Sequence, residues 1–209
     1  MTRGKFITIE GQDGAGKTTN VEVIKRFLHA ASIAFVHSRE PGGTALGESI
    51  RELILNSGDE RIGDKAELLL MFAARAQHIQ DVIEPALARG DWVLCDRFTD
   101  ATYAYQGGGR GMPMQYISQL EHYVQAALRP DLTVLLDLPV ELGESRAGQR
   151  SEPDRFEQQK IKFKQDVRDC YLARASAEPD RIKIIDASQS IDAVSNAINV
   201  TIEAFVADD

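Results

Sequence analysis

The chain has 209 residues, 43% hydrophobic and 27% charged, which excludes a disordered or membrane-embedded polypeptide and fits one globular domain. Its 24 Lys+Arg against 32 Asp+Glu leave a formal charge of −8, a sign that repels a phosphate polymer and argues against a general nucleic-acid binder. Within the cations, 16 are Arg and 8 are Lys, and arginine is the side chain that makes forked, permanently charged contacts to phosphate.

Residues 5–10 form the first of five short aliphatic runs; the others cover 34–38, 92–96, 132–138 and 182–186, and longer stretches with helical periodicity separate them. Near-continuous apolar strands imply burial on both faces, so the expected fold is α/β, a doubly wound parallel sheet of five strands with helices on both faces.

Directly after the first strand comes Gly11-Gln12-Asp13-Gly14-Ala15-Gly16-Lys17-Thr18, followed by Thr19. This matches the phosphate-binding pattern G-x-x-x-x-G-K-[ST], with a strand before it and a helix after it. The glycines let backbone N–H groups curl around phosphate oxygens, Lys17 neutralises charge near the β/γ position, and the Thr18 hydroxyl suits Mg²⁺. The following helix shows an apolar stripe at Val21, Ile24 and Leu28.

The segment 68–87 is apolar nearly all round, which fits either a deeply buried helix or one shared with a second copy of the chain. The third strand ends in Asp96-Arg97. An acid at the carboxyl end of a strand beside the phosphate loop can anchor Mg²⁺-bound water, and the adjoining arginine can fork into the same crevice; a helix N-cap and a surface ion pair are the plainer alternatives. No guanine-reading N-K-x-D or T-K-x-D element occurs, so the length and motifs favour a compact kinase over a GTPase.

Between two helical stretches, residues 148–157 supply no core positions and read as a flap. Near the C-terminus, Ile191, Val194, Ile198 and Phe205 recur on a helical stripe. Cys95 and Cys170 read as free thiols of a reducing compartment, no apolar targeting segment precedes the first strand, and the longest charge-free apolar stretch is far too short for a membrane span. A cytoplasmic protein with no membrane partner is the expectation. His29, His37, His78 and His122 show no metal-ligand spacing and read as ordinary imidazoles.

Taken together, the phosphate loop, Arg39-Glu40-Pro41-Gly42-Gly43-Thr44, Leu68-Leu69-Leu70-Met71-Phe72-Ala73-Ala74-Arg75, Asp96-Arg97-Phe98, Ala104-Tyr105-Gln106-Gly107-Gly108-Gly109-Arg110-Gly111 and Asp154-Arg155-Phe156-Glu157 resemble the bacterial thymidylate kinases in order and spacing. The resemblance implies a single P-loop kinase domain over 1–209 with a short lid near 148–157, ATP as phosphate donor, Mg²⁺, dTMP as acceptor and a homodimer. It assigns residues Gly11, Gln12, Asp13, Gly14, Ala15, Gly16, Lys17, Thr18 and Thr19 to ATP, and Thr18 and Asp96 to the metal. For dTMP it assigns Phe72 to stacking on thymine, Arg75 to the O4 carbonyl, Thr102, Tyr105 and Gln106 to the remaining base edge and the sugar, Asp13 to the 3′-hydroxyl or metal region, and Arg51 and Arg97 to the phosphate. Lys17, Arg97 and the arginines in and beside the lid, Arg146, Arg150 and Arg155, would stabilise the transferring group. Core packing for Phe72 and an exposed helix position for Arg51 remain the alternatives. A kinase for another nucleoside monophosphate and a nucleotide sensor without turnover are the rival functions.

Overall fold

The computed structural model describes residues 2–56, 62–147, 155–156 and 158–207. Five strands, β1 (Phe6–Gly11), β2 (Phe35–Arg39), β3 (Trp92–Asp96), β4 (Leu132–Asp137) and β5 (Ile182–Asp186), carry the apolar runs. All four pairings are parallel, as the near-continuous apolar runs led us to expect, and the strand order is β2-β3-β1-β4-β5. Central β1 is buried at all six positions, whereas edge strands β2 and β5 are only partly covered.

The helices are α1 (Lys17–Ala30), α2 (Ala45–Leu55), α3 (Asp64–His78), α4 (Glu84–Arg89), α5 (Thr99–Thr102), α6 (Met114–Gln125), α7 (Val140–Ala147), α8 (Ile161–Ala177) and α9 (Ile191–Ala207). A π-helical turn, Ile79–Ile83, joins α3 to α4, and a second, Tyr103–Gly109, continues α5. Side chains alternate across the sheet. Ile7 and Ile9 of β1 pack with Val21, Ile24 and Leu28 of α1 and with Val194 and Ile198 of α9. On the opposite face Phe6 meets Ile79, Ile83 and Phe98, while Leu135 meets Val167, Tyr171 and Ala175 of α8.

Two expectations change. The run 68–87 is not covered all round: Leu68, Phe72, Ile79, Ile83 and Leu87 are buried, but Leu69 is 58% exposed on the outer face. Ile191 is not in the core stripe of the last helix either; as the first residue of α9 it lies at a cleft rim and is 71% exposed. Of the expected flap, only Arg155 and Phe156 lie within the described residues.

The second sheet face also contains a polar ladder. Thr8 and Thr133 hydroxyls lie 2.7 Å apart, and Arg181 donates to Thr133 at 2.8 Å and to Asp100 at 2.8 Å. Arg174 also pairs with Asp100, which is 3% exposed. Burial works to raise the Asp100 carboxyl, but the two guanidiniums outweigh it and hold the pKa below the ordinary value. The stabilisation is therefore complete at neutral pH and is lost as pH falls through the depressed native value. Asp100→Ala leaves Arg174 and Arg181 with Glu178 as their remaining shared carboxylate and should cost about 1.5–3 kcal/mol, read as a drop in the urea midpoint at pH 7; an unchanged midpoint would show that the ladder contributes nothing.

Candidate functional site

Register sets the site. Ile9 stands opposite Asp96 and Arg39 opposite Asp96, so β1, β2 and β3 deliver Gly11, Arg39 and Asp96 to one carboxyl edge, where doubly wound sheets bind ligands. Gly14 has φ +79°, and a Cβ there would come within 2.4 Å of the Gly143 carbonyl of α7, so only glycine lets the loop make this turn. Gly16 precedes α1 without a side-chain cap, which leaves the first-turn N–H groups and the positive helix end for an anion.

Lys17 folds back into this loop, its Nζ donating to the carbonyls of Gly11 at 3.1 Å and Gln12 at 3.0 Å. Burial and the neighbouring Arg97 charge depress its pKa, against the pull of Asp13 and Asp96. Thr18 and Thr19 are exposed on the first turn of α1. Gln12 reaches across to the Leu138 carbonyl at 3.4 Å.

Arg97 braces the loop. Its backbone takes φ +67°, a costly conformation for a non-glycine residue, and its guanidinium donates to Asp13 Oδ1 at 2.7 Å and to the Gly11 carbonyl at 2.8 Å. The Tyr105 ring lies under that guanidinium at 4.9 Å, and the Tyr105 hydroxyl donates to Asp13 Oδ2 at 3.3 Å. Burial opposes ionisation of Asp13, but Arg97 and Lys17 prevail and hold its pKa below the ordinary value. Asp96 Oδ1 is buried with no hydrogen-bond partner among the described residues, a carboxylate oxygen suited to a cation or its water.

A cavity opens on one side of Asp13. Its walls include Asp13, Arg51, Arg75, Arg97, Thr102, Tyr105 and Gln106, all expected, together with Glu40, Pro41, Met71, Phe98 and Phe156, which the motif assignments did not include. Arg75 is 2% exposed; its Nε donates to Glu40 Oε2 at 2.7 Å and its Nη2 to Thr102 at 2.9 Å, while Nη1 has no partner among the described residues. Arg51 donates to the Pro41 carbonyl at 3.1 Å, and Gln106 to Glu67 at 2.8 Å.

Phe72 is placed differently from its expected role as a base platform. It is 2% exposed, packs with Leu68, Tyr103 and Ile117, and lies under the Arg75 guanidinium at 4.8 Å, with Phe98 at 5.0 Å from the same guanidinium. Helix α3 turns about 100° per residue, so Met71, one position earlier, is the side chain that lines the cavity.

A second cleft lies beyond the loop, walled by Gly14, Gly16, Thr19, Asn20, Arg146, Ala187, Gln189, Ser190 and Ile191. Arg146, expected to act with the lid arginines on the transferring group, lies in α7 and donates to the Ala187 carbonyl at 2.8 Å. Arg155 pairs with Glu67 and lies 5.2 Å from the Phe156 ring. Arg150 lies outside the described residues.

Known proteins match this chain in sequence and architecture. A family model described as Thymidylate kinase matches residues 9–198. The chain is 53% identical over 207 residues to a thymidylate kinase of Methylococcus capsulatus, covering 99% of both chains. It is 57% identical over 188 residues to one of Pseudomonas savastanoi pv. phaseolicola, covering 90% of each. A crystal structure of thymidylate kinase from Ehrlichia chaffeensis superposes with a TM-score of 0.77 at 31% identity, over 98% of each chain.

Behind the loop, Glu10 is fully buried, accepting from the Phe98 N–H at 2.6 Å with its other oxygen 2.8 Å from the Tyr171 hydroxyl. Burial, reinforced by the Asp100 charge, pushes its carboxyl up to about 8. A raised carboxyl stabilises the fold fully below its unfolded pKa and loses that stabilisation as pH rises through the native value. Between pH 5 and 8 the protein should therefore lose roughly 3–5 kcal/mol of urea-unfolding stability relative to Glu10→Gln over the same interval; parallel pH profiles for the two proteins would contradict the buried-acid assignment.

Proposed function

The chain belongs to the thymidylate kinase family, and from that membership we propose that it transfers the γ-phosphoryl group of ATP to dTMP, forming dTDP and ADP. The carrying observation is the pair of clefts on either side of one phosphate loop, the first walled by a buried guanidinium whose Nη1 has no partner among the described residues. An N–H with that setting selects a carbonyl acceptor. Thymine presents one at C4, where cytosine presents an amino donor.

In this reading the Arg146 cleft holds the nucleoside end of ATP, and residues Gly11 to Thr19 hold its phosphates. Met71 and the Arg75–Thr102 pair meet the thymine ring, Tyr105 and Asp13 meet the sugar, and Arg51 and Arg97 face the acceptor phosphate. That phosphate is already ionised at neutral pH, so the attacking oxygen needs no general base. Catalysis then rests on alignment and on positive charge: Lys17 leaves its loop carbonyls for the donor phosphates, and Arg150 and Arg155 add charge from the lid. The unpartnered Asp96 Oδ1 and the exposed Thr18 hydroxyl suit Mg²⁺, which when bound neutralises charge between the donor phosphates.

Leu69 on the outer face of α3 and Leu53 on the adjoining α2, each 58% exposed, support a homodimer. No helix among the described residues is long and apolar enough to cross a membrane. The two free thiols and the ATP requirement favour the cytoplasm.

An ADP-coupled assay across dTMP, dUMP, dCMP and dGMP should show turnover that prefers dTMP; no dTMP-dependent ADP would favour a nucleotide sensor, and no preference would remove the base assignment. Arg75→Ala should raise the KM for dTMP far more than that for ATP. Lid variants Arg150→Ala and Arg155→Ala should lower kcat, by on the order of 10³-fold for the one that meets the transferring group, with a smaller rise in the dTMP KM; the reverse pattern would make them binding groups.

A further inference from the structure

Arginine and carboxylate most often meet through a two-bond fork. Arg75 and Glu40 do not: only Nε reaches Glu40, through Oε2, and Nη2 goes to Thr102. The other carboxylate oxygen, Oε1, lies 2.9 Å from His78 Nδ1. A carboxylate oxygen only accepts, so Nδ1 carries the proton; in the neutral ring Nε2 is then an acceptor, and Ser38 Oγ lies 2.7 Å from it. The imidazole is 0% exposed, and Ser38 and Glu40 are 9% and 4% exposed, so water does not substitute readily for either bond. Gly43 seals the arrangement: at φ +77°, a Cβ there would stand 2.4 Å from Ser38 Oγ and 2.6 Å from His78 Cδ2.

From this geometry we infer that His78 is a positioning residue for recognition of the acceptor base, acting through Glu40 on Arg75. By occupying Oε1 it keeps Glu40 from forking onto Nε and Nη2 together. Nη2 stays on Thr102, and the guanidinium stays against the Phe72 and Phe98 rings at the wall of the cavity. Glu40 fixes the tautomer, and Ser38 donates to the Nε2 it leaves as acceptor, which holds the ring in place. Without the imidazole, Glu40 turns to form the fork, Thr102 is released and the guanidinium rotates in its plane. The inference rests on the reading that Arg75 meets the base.

The test compares His78→Leu, which removes the N–H, with His78→Asn, whose amide N–H replaces Nδ1–H. His78→Leu should raise the KM for dTMP on the order of tenfold, as for loss of a hydrogen bond to a charged group. It should leave kcat and the KM for ATP within about twofold and erode the preference for dTMP over dCMP; His78→Asn should restore most of the loss. Ser38→Ala retains the imidazole and keeps the question open to measurement if His78→Leu does not fold; it should raise the dTMP KM about threefold. An unchanged dTMP KM in Ser38→Ala and in every folded His78 variant, or His78→Asn no better than His78→Leu, overturns the inference. Arg75→Ala, run in parallel, separates the causes. If it too leaves the dTMP KM unchanged, the base reading fails and takes the inference with it; if it raises that KM while the His78 variants do not, only the positioning role fails.

Discussion

A guanidinium inside a protein is costly, several kcal/mol before compensation, and the acceptor side of this molecule is arranged around one. Arg75, 2% exposed, is held by a carboxylate on its Nε side, a threonine hydroxyl on Nη2 and aromatic rings 4.8 and 5.0 Å away. Each partner comes from a different segment: Glu40 from the exit of β2, Thr102 from α5, Phe98 from the end of β3, and Phe72 from α3 itself. Satisfying this one charge therefore joins α3 to the carboxyl edge of the sheet. Among the described residues its Nη1 group has no partner, an unmet demand that a bound carbonyl can fill.

The same logic extends along that edge. Asp13 and Arg97 tie the phosphate loop to the end of β3, and the strained φ of Arg97 is held by its backbone N–H bond to the Ile9 carbonyl at 3.0 Å and by its guanidinium contacts. A net charge of −8 then ceases to conflict with binding two phosphorylated molecules. The overall field repels polyanions, while arginines placed at the clefts make the local field positive. Buried Glu40 keeps Arg75 oriented within the fold, and buried Glu67 holds Arg110 and Arg155.

Much of this was legible in the chain. Strand runs buried on both faces gave the parallel sheet, and the glycine pattern with its strand and helix located the phosphate loop, because both are local signals. What failed was rotational or tertiary. Phe72 and Arg75 share a helix side at a spacing of three, yet which of Met71 and Phe72 faces the cavity depends on how α3 rolls against α6 and α2, which spacing alone does not determine. His78 read as an ordinary imidazole because its partners, Ser38 and Glu40, lie about forty residues away. The Arg-Glu-Pro-Gly-Gly-Thr motif held the signal: an acid fixed directly after a strand, followed by glycines that admit a close neighbour. Arg146 was grouped with Arg150 and Arg155 as charge for the transferring group because nothing in the sequence shows that α7 turns it toward the other cleft.

The central claim is that the free N–H of Arg75 is kept for the base of the acceptor nucleotide. The most direct measurement is a crystal structure with dTMP bound. The account predicts thymine O4 within roughly 3.2 Å of Arg75 Nη1, with the ring against Met71. A thymine bound elsewhere, or one seated in the cavity while Arg75 Nη1 stays unpaired, would contradict it.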